Sequence, residues 1–89
     1  MSETGLWVKG IVNDKTLIIR ADRIENENFN NLKNITIFEF RNDGELIKRL
    51  DAESATIFKD YWKIVNAKKL ENSETNYIKS MKYITEINI

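Results

Sequence analysis

Ser54, the Asp51/Glu53 pair and the adjacent Lys68 and Lys69 are the residues whose types and spacing could do chemistry. A serine nucleophile needs a neighbouring base to take its proton, usually histidine. The chain has no histidine, so Ser54 reads as structural. Asp51 and Glu53 could in principle share acid and base roles as glycosidase carboxylates do. Acids two apart on a solvated face are far more often just charge. Lys68 and Lys69 could meet a lipid phosphate, though an exposed basic pair is the plainer explanation. Gly44 is a turn glycine and not part of a phosphate loop, because the other two glycines lie far off at positions 5 and 10. Lack of histidine also removes the commonest metal ligand and the usual neutral-pH proton carrier. Lack of cysteine removes thiolate chemistry and disulfides. The expectation is a non-enzymatic protein with no cofactor and no metal.

Composition narrows the partners. The chain of 89 residues carries 14 basic and 14 acidic groups, a net charge of zero. No basic stripe stands out, which argues against a nucleic acid partner. A length of 89 residues fits one domain, 1–89, with a thin core. No apolar run approaches the roughly 20 residues that cross a bilayer. Residues 1–20 lack the basic start and the small-residue cleavage site of a signal peptide.

The elements that must position these residues look extended. "GLWVKGI" is β-prone, and Asn13-Asp14 is a good two-residue hairpin turn, since both residues tolerate positive φ. "TLIIR" follows, then a short strand over residues 21–25. The asparagines at 28, 30, 31 and 34 read as a loop around Phe29. "NITIFEF" is the best strand, with Ile35 and Ile37 pointing one way and Thr36, Phe38 and Phe40 the other. "RNDG" is a hairpin loop with Gly44 suited to a left-handed bulge position.

Residues 45–58 are ambiguous. As a helix, Ile47, Leu50, Ser54 and Phe58 form a partial stripe, and Glu45 to Arg49 is a favourable i,i+4 pair. As a strand, Leu46, Leu50 and Ala52 share a face with Ser54, Thr56 and Phe58, interrupted by Lys48. Periodicity does not choose. The N-D-G loop and the absence of a stop signal before "ATIF" lean towards strand. Lys59-Asp60 is another turn, and "YWKIV" puts Trp62 and Ile64 on one face. Residues 66–76 are polar with a loop-like tail. "YIKSMKYITEINI" closes the chain, with Tyr83, Thr85, Ile87 and Ile89 alternating against polar neighbours.

Read in order, the motifs form a set: Trp7-x-Lys9, then Ile35-x-Ile37-x-x-Phe40, Asp43-Gly44-x-Leu46, Ala52-x-Ser54-Ala55, and Asp60-x-Trp62-x-Ile64. Over residues 5–67 this set resembles the periplasmic region of lipopolysaccharide-export permeases of the YjgP/YjgQ family, nearest the LptG-like members. The resemblance implies an all-β fold, an open antiparallel jellyroll-like sheet in two layers, which resolves residues 45–58 as strand. It also implies a periplasmic domain of an inner-membrane protein, set between transmembrane helices of the parent chain. The implied partners are lipopolysaccharide, an LptF-like permease subunit, an LptC-like bridge protein and a cytoplasmic ATPase.

A lipid conduit needs apolar inward side chains and unpaired sheet edges, and no nucleophile. An edge strand can take on a partner's strand through main-chain hydrogen bonds, and the chain has no proline to blunt one. Trp7, Ile35, Ile37, Phe38, Phe40, Ala52, Trp62 and Ile64 are the candidates for facing lipid or a partner. Core filling is the commoner fate of the two tryptophans, and Ala52 and Ala55 suit positions under such a ring. The competing expectation is a stand-alone β-domain that binds protein or single-stranded nucleic acid, with Trp and Phe as platforms.

Overall fold

The structure, a computed structural model, describes residues 5–24 and 31–84. Six strands follow one another: β1 (Leu6–Val12), β2 (Lys15–Ile24), β3 (Asn31–Phe40), β4 (Leu46–Ile57), β5 (Tyr61–Glu71) and β6 (Glu74–Ile84). They form one open antiparallel sheet in the order β1-β2-β3-β4-β5-β6, each strand paired with the next in sequence. The fold is all-β and jellyroll-like, and the described residues contain no helix. The helical option for 45–55 is therefore excluded, because β4 pairs with β3 on one side and β5 on the other.

Turn chemistry sets the hairpins. Asn13 and Asp14 take φ of 52° and 65°, the paired left-handed geometry that matches the twist of the flanking strands. Asn72 and Ser73 do the same with 55° and 63°. The polar stretch 66–76, expected to end in a loop, is strand on both sides of that two-residue turn: β5 runs to Glu71 and β6 begins at Glu74. Gly44 has φ 92°, and the ladder shifts register between Glu39 and Phe40, a bulge beside that turn. The separate strand expected at 21–25 is the end of β2, and Glu25 lies outside the described residues. So do Asn28, Phe29 and Asn30, and Thr85, Ile87 and Ile89. Asn31 and Asn34, expected in a loop, belong to β3.

Two asparagines inside strands organise the sheet. Asn34 and Asn66 have φ of 52° and 54°, a left-handed conformation that asparagine tolerates better than most residues. The register aligns Asp22, Asn34, Glu53, Asn66 and Lys79 in one row across β2 to β6, and ladder pairing skips this row in every strand pair. The inward side-chain pattern changes phase there. Ala21 and Ile24, Leu32 and Ile35, Ala52 and Ala55, Ile64 and Ala67, and Ile78 and Met81 all face the core three positions apart, where a regular strand allows only even spacings. Hence Ser54 and Thr56 do not share the face of Leu50 and Ala52, contrary to expectation; Ala55 and Ile57 do.

At this seam the sheet folds over. Lys48 pairs with Glu71, which pairs with Glu74. Tyr83 lies nine positions beyond Glu74, about 30 Å away on a flat sheet. Yet Lys48 Nζ is 6.0 Å from the centre of the Tyr83 ring. Two layers result from one sheet. The first holds β1, residues 15–21, 35–40, 46–52 and 67–78; the second holds residues 23–24, 31–33, 54–57, 61–65 and 80–84. Ile19, Ile37 and Leu50 from the first layer and Leu32, Trp62 and Ile64 from the second are all buried in one core.

Candidate lipid- and partner-facing site

The layers are joined at the seam and meet again at the far end without pairing. β1 and β6 are the two edges of the sheet. There Val12 and Leu17 of the first layer and Met81 and Tyr83 of the second line a cavity of about 320 Å³, together with Lys15, Glu39 and Lys48. Glu39 follows Ile35 and Ile37 on the inward face of β3, so strand alternation forces its carboxylate into the apolar mouth, where it is 6% exposed. Two cations hold it: Lys15 Nζ at 3.1 Å from Oε1 and Lys48 Nζ at 3.3 Å from Oε2. The side chain of Lys15 is 47% exposed and Lys82 also lines the mouth, so the site has one carboxylate, three ammonium groups and an open path to solvent. Burial, and then the charge of Glu39, push the Tyr83 hydroxyl well above the usual tyrosine range, keeping it neutral. Trp62 is fully buried, and its Nε1–H has no acceptor among the described residues.

The candidates divide between the two sides of the sheet. Ile35, Ile37, Ala52, Trp62 and Ile64 are inward and buried. Phe38 and Phe40 are half-buried on the outer side of the first layer, their ring centres 6.4 Å apart, with the Arg49 guanidinium 5.4 Å from the Phe38 ring. Trp7 is not core; it is 68% exposed on the outer side of β1, because Leu6 and Val8 take the inward positions.

Lys68 is exposed, whereas Lys69 points inward with Nζ 3.8 Å from Glu71. Asp51 and Glu53 are tied into the sheet. Asp51 accepts from Arg49 Nε at 2.9 Å and from the Thr36 hydroxyl at 2.8 Å, and Glu53 accepts from Asn66 Nδ2 at 2.6 Å. Burial, the largest single influence on Asp51, raises its pKa, but the bonds from Arg49 and Thr36 outweigh it and hold the carboxyl below its usual range.

Sequence reasoning missed Glu39, Lys15, Tyr83 and the seam. The inward parity of Glu39 behind Ile35 and Ile37 was the available signal for the mouth. Nothing in the pattern marked Asn34 and Asn66 as strand residues, since asparagine clusters ordinarily mark loops.

Among the described residues no group of three or more acidic, histidine or cysteine side chains could hold a metal ion, and no helix is long and apolar enough to cross a membrane. The geometry gives a folded-over sheet with an apolar interior, a mouth that carries Lys15, Glu39, Lys48 and Lys82, and β1 and β6 as its edge strands. The chain belongs to the lipopolysaccharide export system permease LptF/LptG family, whose model matches residues 1–89. No curated protein matches it.

Proposed function

We propose that this chain is the periplasmic domain of an LptG-like subunit in an ABC-type lipopolysaccharide exporter, a module without catalysis of its own that supports passage of the lipid towards the outer membrane. The observation that carries this is the non-paired meeting of the layers at the β1 and β6 end. Among the described residues side-chain contacts close the interior there and no ladder hydrogen bonds do, so the layers can part about the seam. An acyl chain entering between them replaces contacts of the same kind, at roughly 0.8 kcal/mol for each methylene withdrawn from water. The excess cation of the Lys15–Glu39–Lys48 group faces the phosphorylated head of such a lipid. The ordered motifs from Trp7 to Ile64 favour the LptG-like over the LptF-like subunit. An LptF-like permease, an LptC-like bridge and a cytoplasmic ATPase complete the machine through the membrane part of the parent protein.

Photocrosslinking tests this in the full-length parent. A benzophenone amino acid at Val12 or Met81, both half-buried at the mouth, is expected to yield lipopolysaccharide adducts that depend on ATP. The same group at Phe38 or Phe40 is expected to yield none. Lipid adducts at the outer positions alone, or at no position, would overturn the proposal.

A further inference from the structure

Of the large hydrophobic side chains exposed among the described residues, five of six lie on one face: Trp7, Ile11, Leu46, Leu70 and Tyr77 all project from the outer side of the first layer. Phe38 and Phe40 stand between them, half-buried. Trp7 and Tyr77 occupy the two ends of a single register row, Trp7–Arg20–Thr36–Asp51–Lys68–Tyr77, about 24 Å apart at ordinary strand spacing. Isolated apolar side chains on a surface need no explanation, but here Ile18, Phe38, Phe40 and Leu46 are neighbours across β2, β3 and β4, with Trp7 and Tyr77 at the margins, and a grouped apolar face marks a contact site. Its composition of Trp, Tyr, Phe, Leu and Arg is the one enriched at the centre of protein interfaces.

Charge and shape say what covers it. The face carries Lys9, Arg20, Arg49 and Lys68 against Asp51, with Asp22 and Glu53 along the seam. Arg49 is engaged by Asp51, and Arg20 by Asp22 at 2.6 Å. Lys68, exposed, stands directly opposite Asp51, whose charge it also feels, and Lys9 has no acidic partner among the described residues. Beside that register row a groove of about 660 Å³ runs along the seam, where Arg20, Lys68 and Lys79 stand with Asp51, Glu53 and Tyr77. A groove offering both donors and acceptors, with two carboxylates among its cations, suits side chains of another protein better than a layer of anionic headgroups. We propose that the outer face of the first layer is a docking surface for a protein partner whose contacting side is apolar at its centre and acidic at its margin. This rests on the family membership and on no feature of the lipid path.

The chain has no cysteine, so single-cysteine labelling reads the surface directly. Ile11→Cys and Tyr77→Cys alter side chains that are 74% and 80% exposed. Lys63→Cys and Ser80→Cys provide controls on the outer side of the second layer. In the full-length protein in its native membrane, maleimide labelling at positions 11 and 77 is expected to be at least tenfold slower than after detergent removes the partners, with positions 63 and 80 unchanged. Lys9→Glu combined with Lys68→Glu is expected to restore most of that labelling, because both lysines are exposed on this face; an unchanged melting curve excludes misfolding. A benzophenone group at Tyr77 is expected to join a protein segment richer in acidic than basic residues. Equal labelling at all four positions, protection unchanged by the double charge reversal, or crosslinks to lipid alone would each overturn the proposal. The lipopolysaccharide adduct at Met81 is scored in the same membranes, so failure of one proposal is separable from failure of the other.

Discussion

The outer sides of the two layers come from the same strands and could hardly differ more. The first shows Trp7, Ile11, Phe38, Phe40, Leu70 and Tyr77; the second shows Arg23, Lys33, Ser54, Thr56, Lys63 and Lys82. On the second layer like charges stand directly opposite across strands, Arg23 with Lys33 and Lys63 with Lys82, an arrangement that costs stability unless water or a counter-charge attends it. Inside, both layers are apolar except towards the mouth, where Glu39, Lys48 and Lys69 face inward. The inner faces serve the core they share, while the outer faces record what each layer meets. A layer that met only water would have no use for two exposed aromatic rings in one row.

The two tryptophans give the sharpest way to break that comparison. Trp62→Ala empties the centre between the layers, and the expected cost is about 3–5 kcal/mol in denaturant unfolding, most of what a thin domain of this size holds. Trp7→Ala removes an exposed ring from the outer face, with an expected change within about 0.5 kcal/mol. Similar losses at both positions would mean that the outer face is part of the core.

The seam comes next. Asn34→Val and Asn66→Val place β-branched residues in left-handed conformations, and each is expected to cost about 1–2 kcal/mol or more. Asn66→Val also leaves Glu53 without the bond it accepts. Asn34→Gly, which accepts the same φ freely, is expected to be close to neutral. At the mouth, Glu39→Gln leaves Lys15 and Lys48 facing each other without their carboxylate. The expected loss is about 1–2 kcal/mol, between the values for surface and buried pairs because the lysines are partly solvated.

Smallest are the two pH limbs. Asp51 has a folded pKa below its unfolded one, so its contribution is full above the unfolded value near 3.8 and is lost as pH falls through the folded value. Asp51→Asn should flatten the acid limb of stability below pH 4. Tyr83 has a folded pKa raised above 10.0, so its contribution is present below pH 10 and fades as pH rises beyond it. Tyr83→Phe should flatten the alkaline limb. Melting curves across pH read both effects.

Much of the fold was legible in the sequence. Asn13-Asp14 and Gly44 announced their turns because positive φ is a local demand that few residues meet. Trp62 with Ile64, and Ile35 with Ile37, announced inward faces because alternation is short-range. Residues 45–58 yielded to strand only with help from the motif order, since Leu50, Ser54 and Phe58 satisfy partial stripes in either period. The fold-over was not legible. It depends on left-handed asparagines in the middle of paired strands, and the phase change they impose shows only once neighbouring strands are in register. Whether Trp7 was a facing residue or core filler stayed open for a related reason: in "LWVKGIV" the smaller Leu6, Val8 and Val12 take the inward parity, and only the pairing with β2 decides which parity is inside.

The fold-over itself is open to one direct measurement. Asn13 and Lys82 line the same mouth, although they belong to opposite edges of the sheet and to different layers. With nitroxide labels on Asn13→Cys and Lys82→Cys, in a chain free of other cysteines, electron–electron resonance reads their separation. A sheet bent at the Asn34–Asn66 seam predicts a narrow distribution below about 20 Å. A distribution centred beyond about 30 Å, the separation that flat strand spacings give, would contradict it and remove the interior on which the lipid path depends.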